Sequence, residues 1–320
     1  MAPRHFPAVA IGVLVAGVLT AGVATVFSSG SAETGGPPVP VPTSAEDFVL
    51  PMDAYNVSAA QHVEIARARA DLVEDCMRAF GYDLRIQVPD VASYSQNGLV
   101  DWLGDLQVDR YGYAGPPGRT RQSAADDDRG IFAVTDDEFR VMVGKTARVG
   151  GKKVPVGGCD GAVEGILNAG ASGLDGQETP GKTDVYRLGD LQSGAAESAY
   201  RDPGLHRAGA AWAECMRKAG YAYSQPEEAT ADPRWAITAK NDHDPPPQGT
   251  PVEIRTAVDD HRCRLETNYY GKRQAIYAAH QQKAIDANPR LLAGFHDLMT
   301  TRLRNARQVN SGAPVVRPWD

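Results

Sequence analysis

The sequence holds little of what familiar catalysts need. It contains no His-Glu-x-x-His, no Gly-x-Ser-x-Gly and no Gly-x-Gly-x-x-Gly, so the local signatures of zinc peptidases, serine hydrolases and dinucleotide-binding folds are missing. Cysteine is scarce, at 4 in 320 residues, and no two stand as Cys-x-x-Cys. That spacing excludes zinc ribbons and thioredoxin-type redox sites. Basic residues are too few for a nucleic-acid surface: 33 Lys and Arg face 40 Asp and Glu, a formal net charge of -7, and phosphate binding needs a positive field.

Hydrophobic residues at 42% and charged residues at 23% are ordinary for a folded chain, and the length suffices for two domains with real cores. The 33 Gly and 22 Pro predict short elements and long connections. Residues 6–27 carry no charge and follow Arg4 and His5, which gives the basic start and apolar run of an export signal. The run also matches a bilayer span of about 20 residues. Residues 1–32 therefore read either as a signal peptide, cut after Gly30-Ser31-Ala32, or as a signal anchor that keeps membrane contact when uncleaved. Both place the remainder outside the cytoplasm, where disulfides persist. Cys76, Cys159, Cys215 and Cys263 are then expected to form two bridges, and the count alone allows three pairings.

An internal repeat selects among them. Cys76-Met77-Arg78-Ala79-Phe80-Gly81-Tyr82 and Cys215-Met216-Arg217-Lys218-Ala219-Gly220-Tyr221 share five of seven positions at an offset of 139. Upstream, Ala66 and Val73 align with Leu205 and Trp212 on one helical stripe, with Arg69 opposite Ala208 as the exception. Each helix stops at a Gly suited to a left-handed cap. The first starts near Ser58 and the second at Asp202-Pro203. If each copy keeps its own bridge, Cys76 pairs with Cys159 and Cys215 with Cys263. The fold class expected is mainly α with short β segments and long loops, in two related helical units stapled by disulfides.

Residues 33–54, with Pro37, Pro38, Pro40 and Pro42, read as a Pro-rich linker or stalk. The first Cys-containing unit then spans 55–168, a polar linker 169–184, the second unit 185–310 and a tail 311–320. Leu84, Ile86 and Val88 alternate as a strand would. Thr135 with Glu138 opens a short helix, and Gly157-Gly158-Cys159 leads into another that reaches Leu167. Thr250-Pro251-Val252-Glu253 starts a long helix over 250–287, with Ile254, Val258, His261 and Leu265 on one face and Cys263 on the other. A final helix begins at Asn288-Pro289 and is expected to pack beside it.

Candidate chemistry is sparse, and no catalytic, cofactor or metal residue is assigned. Asp242-His243-Asp244 and the run Asp126, Asp127, Asp128 read as solvated loops, and His261 as a satisfied histidine on an apolar face. Arg110, Tyr111, Tyr113 and Trp235 are residue types that suit an interaction surface, or else they pack against the body. Arg302, Arg304 and Arg307 complement the negative end of the last helix, with docking of an acidic partner or lipid headgroups as the alternative.

The two Cys-Met-x-x-x-Gly-Tyr helices, Arg110-Tyr111-Gly112, Gly157-Gly158-Cys159, Asp232-Pro233-Arg234-Trp235 and the helix around Cys263 together resemble a group of uncharacterised secreted or membrane-anchored proteins of actinobacteria. The likeness covers roughly residues 58–300. It implies an extracytoplasmic, disulfide-stapled domain and supplies no catalytic residues. Many relatives look like lipoproteins, whereas this chain lacks the lipid-accepting Cys near its apolar run. The function expected is a noncatalytic cell-envelope module that binds a protein, glycan or lipid-linked partner. The alternative is an envelope hydrolase whose site is assembled only in the fold.

Overall fold

The computed structural model describes residues 38–88, 102–116, 134–174, 177–181, 183–235 and 249–320. The apolar run 6–27, Asp126 to Asp128 and Asp242 to Asp244 lie outside them. Ser58 opens α1 (Ala59–Ala79) with a capping box in which its hydroxyl accepts from Gln61 N and Gln61 Oε1 accepts from Ser58 N. Then follow α2 (Val108–Tyr111), α3 (Asp136–Met142), an antiparallel pair β1 (Arg148–Val149) and β2 (Lys152–Lys153), and α4 (Gly158–Leu167). The later helices are α5 (Arg187–Tyr200), α6 (Pro203–Lys218), α7 (Pro226–Thr230), α8 (Pro251–Glu266), α9 (Tyr269–Ala287) and α10 (Pro289–Asn310). The protein is mainly α, and no helix among the described residues is long and apolar enough to cross a membrane.

The repeat is visible as backbone geometry. Gly81 and Gly220 end α1 and α6 at φ +88° and +94°. In each copy the following Tyr N–H donates to the Met carbonyl, Tyr82 to Met77 at 3.1 Å and Tyr221 to Met216 at 2.9 Å. Gly81 and Gly220 donate to Arg78 and Arg217, completing the same Schellman cap twice. Cys76 is joined to Cys159 across 83 residues and Cys215 to Cys263 across 48. Loop-closure entropy gives each bridge an upper bound of roughly 4 to 4.5 kcal/mol.

Each bridge belongs to a different hydrophobic cluster. The first gathers Val73, Cys76, Met77, Cys159, Val163 and Leu167 with Leu292, Phe295 and Met299. The second gathers Leu205, Trp212, Met216, Ala257, Cys263 and Tyr269 with Leu103, Val108 and Tyr113. Chain order and cluster membership therefore cross: α10 packs on α1 and α4, whereas α2 packs on α8. Arg69, where the two copies disagree, explains part of this. It pairs with Asp160 and Glu164 of α4, and Arg302 of α10 reaches the same Glu164 at 2.6 Å.

Four expectations are corrected. The long helix over 250–287 is two helices, because Asn268 takes a left-handed φ of 50° between α8 and α9. The last helix therefore packs on the first unit rather than beside a central rod. Residues 84–88 form no strand; Leu84 is buried in the first cluster, and Ile86 N is satisfied by the Glu74 carboxylate at 2.8 Å. From Val39 on, the Pro-rich stretch is held against the body, with Asn268 Nδ2 donating to Val39 O and Met52 N to Gln281 Oε1. Phe48, Leu50 and Met52 are buried there.

The fourth correction concerns α8, whose buried stripe is Glu253, Thr256, Ala257, Asp260, Cys263 and Arg264, mostly polar. The apolar stripe of Ile254, Val258, His261 and Leu265 is only partly covered.

Candidate functional site

The residues singled out by type do not converge. Tyr113 and Trp235 are internal, stacked at 5.6 Å in the second cluster, and the Tyr113 hydroxyl donates to Asp260 Oδ2 at 2.9 Å. Burial, helped by the Asp260 charge, pushes that phenol up from its ordinary value. Tyr111 is half-buried under the exposed Arg110, 5.0 Å from ring centre to guanidinium. Arg302 is buried against Glu164 and Asn168, Arg307 pairs with Glu64 of α1 at 2.8 Å, and Arg304 is exposed. Arg302 and Arg307 tie α10 to α4 and α1, since opposite charges face them across the helix contacts, whereas Arg304 bonds Thr301 of its own helix. His261 Nδ1 is hydrogen-bonded to the Tyr270 hydroxyl at 2.9 Å, and burial holds it below the ordinary imidazole range.

A cleft of about 1040 Å³ lies elsewhere, where the turn Pro51–Tyr55 and the start of α1 face the start of α5. Asp53 sits at the third position of that turn and accepts from Leu50 N at 2.8 Å. Asn56 follows it, its Oδ1 accepting from Val57 N at 2.9 Å and lying 3.0 Å from His62 Nε2. An amide oxygen only accepts, so His62 is the donor in that bond. Asp190, Gln192 and Ser193, brought in by one turn of α5, also line it, as do Leu188 and Phe295.

A second groove of about 780 Å³ shares Val185 and Tyr186 with the cleft. Gly157, Gly161 and Gly165 leave one of its sides without side chains, and Arg69, Asp160 and Asn168 supply charge and amide groups. Tyr186, 67% exposed, therefore stands on the ridge between two cavities.

The cleft perturbs its titratable groups. Burial raises the Asp53 carboxyl against the lowering bond from Leu50. Burial, then the positive charge of Arg302, holds His62 below the ordinary imidazole range. A carboxyl with raised and an imidazole with lowered affinity for protons are capable of acid–base work. Asp53, however, accepts from a backbone amide, and His62 Nε2 bonds a side-chain amide. Among the described residues no group of three or more His, Cys, Asp or Glu could hold a metal ion.

The cleft has no signature in the sequence: Asp53 falls in the stretch 33–54 whose composition suggests a linker, Asn56 and His62 open the first unit, and Tyr186 and Gln192 open the second just past the polar linker 169–184. A phosphate-loop spelling also escaped the sequence reading, Gly176 with Gly181-Lys182-Thr183, of which Gly176 and Lys182 lie outside the described residues. Here the Asp184 carboxylate accepts from Gly181 N and Leu174 N at 2.9 and 3.3 Å. A side-chain anion thus occupies backbone donors that a phosphate would need. No family model, curated protein or solved structure matches the chain.

Proposed function

We propose that the chain is an extracytoplasmic, noncatalytic binding module of the cell envelope, delivered or anchored by residues 1–32, with the cleft beside Tyr186 as its recognition surface. Two disulfides fit an oxidising compartment. The observation that carries the reading is the use made of the cleft's reactive groups. His62 donates to Asn56, and Asp53 accepts from Leu50 N, bonds that fix the walls in place rather than activate a nucleophile. The hydrolase alternative draws on Asp53 and His62 lining one cleft with shifted affinities for protons.

A photo-crosslinking residue at Ser193, on the cleft wall, tests the proposal in full-length protein on intact cells. An envelope component attached from Ser193 but not from Tyr200, which is exposed away from the cleft, is the expected result. Equal attachment from both positions contradicts the proposal. Conversion of the attached component to product, abolished by His62→Ala, replaces it with the hydrolase.

A further inference from the structure

We infer that the ligand of this cleft is a neutral oligosaccharide, an inference that rests on the cleft being the recognition surface and adds its chemical class. The first observation is Tyr186. A large aromatic ring 67% exposed between two adjoining cavities offers a flat apolar face next to polar walls, the combination that the C–H face and hydroxyl rim of a pyranose require.

The second is the character of the walls. The larger cleft presents Asp53, Asn56, Gln61, His62, Asp190 and Gln192, and among the described residues lining it there is no Lys or Arg. Carboxylates and amides without a cation disfavour an acidic ligand and suit one whose hydroxyls both donate and accept, and the one cation lining the adjoining groove among the described residues, Arg69, is already paired with Asp160 and Glu164. Gln192 adds a specific opening, since its Nε2 is buried in this wall without a partner. That atom is out of contact with solvent, so the amide must turn toward the cleft for a ligand oxygen to satisfy a donor left unpaired in the protein.

The third is extent. At about 1040 Å³, continuing past Val185 and Tyr186 into about 780 Å³, the space exceeds the roughly 300–1,000 Å³ of small-molecule sites and suits a chain of rings. A peptide binding by strand addition would need a sheet edge. The strands among the described residues are two residues long, and neither lines the cleft.

Calorimetric titration of the full-length, disulfide-intact protein with chitotetraose and cellotetraose tests the inference, with trilysine as the peptide arm. We expect a tetrasaccharide to bind, Tyr186→Ala to weaken it by about tenfold, the value of one good aromatic contact, and Tyr186→Phe to restore it. Tyr200→Ala should leave binding unchanged, and matched melting curves show that each variant is folded. Binding indifferent to Tyr186→Ala, or neither tetrasaccharide bound, overturns the inference, whether or not trilysine binds. In that case cleft-specific crosslinking from Ser193 still upholds the binding module. New reducing ends released from a bound tetrasaccharide uphold the saccharide site and remove the noncatalytic reading instead.

Discussion

Arg264 Nε lies 2.7 Å from Asp260 Oδ1, and neither side chain is exposed at all. One turn of α8 creates the pair, and the rest of the second cluster completes it. Trp212 Nε1 of α6 donates to Asp260 Oδ1 at 2.8 Å and the Tyr113 hydroxyl to Oδ2 at 2.9 Å, beside a second bond from Arg264. A carboxylate with four donors is satisfied, and removing it strands a buried guanidinium.

Asp260→Ala should therefore destabilise the protein by about 3–5 kcal/mol, read as a shift of the denaturant midpoint. Tyr113→Phe removes a single bond to the carboxylate and should cost about 1–2 kcal/mol. Equal effects from the two would show that Asp260 is not the centre of this network.

Trp319 is 1% exposed in the first cluster, and its Nε1 donates to Asp75 of α1 at 3.1 Å. Composition marks residues 311–320 as a tail, yet the ring is core. Trp319→Ala should cost about 3–5 kcal/mol, as large core truncations do. Thermal unfolding indistinguishable from the parent would refute that placement.

His62 and Asp53 give pH dependences of opposite sign. The folded state lowers His62 below its ordinary 6.5, so its contribution is present above that value and lost as pH falls through the folded pKa. His62→Gln should flatten the loss of stability below pH 6.5. Asp53 is raised above its ordinary 3.8, so its contribution is present below that value and lost as pH rises through the folded pKa. Asp53→Asn should stabilise at pH 7, an advantage that vanishes in acid. Denaturation series from pH 3 to 8 read both.

The helical caps were legible in the sequence because they are local: Ser58, Thr135, Asp202 and Thr250 each accept from the backbone of the helix they open. The bridges were legible because the repeat limits the pairing. The buried stripe of α8 was not, because Asp260 and Arg264 become core residues only when Trp212 and Tyr113 arrive from other segments. Nor was the crossing of α10 to α1, since its apolar face suits either cluster, and the partner is chosen by the buried Arg302 meeting Glu164. The cleft was hidden for a similar reason, being shared by a turn near residue 53 and a helix starting at residue 187.

The central claim is an exported body locked as two bridged helical clusters. Peptide mapping without reduction, on protein taken from the envelope of its native host with thiols blocked at lysis, tests it most directly. The account predicts linked peptides joining Cys76 to Cys159 and Cys215 to Cys263, with no blocked thiol. A peptide joining Cys76 to Cys215, or four blocked thiols, contradicts it.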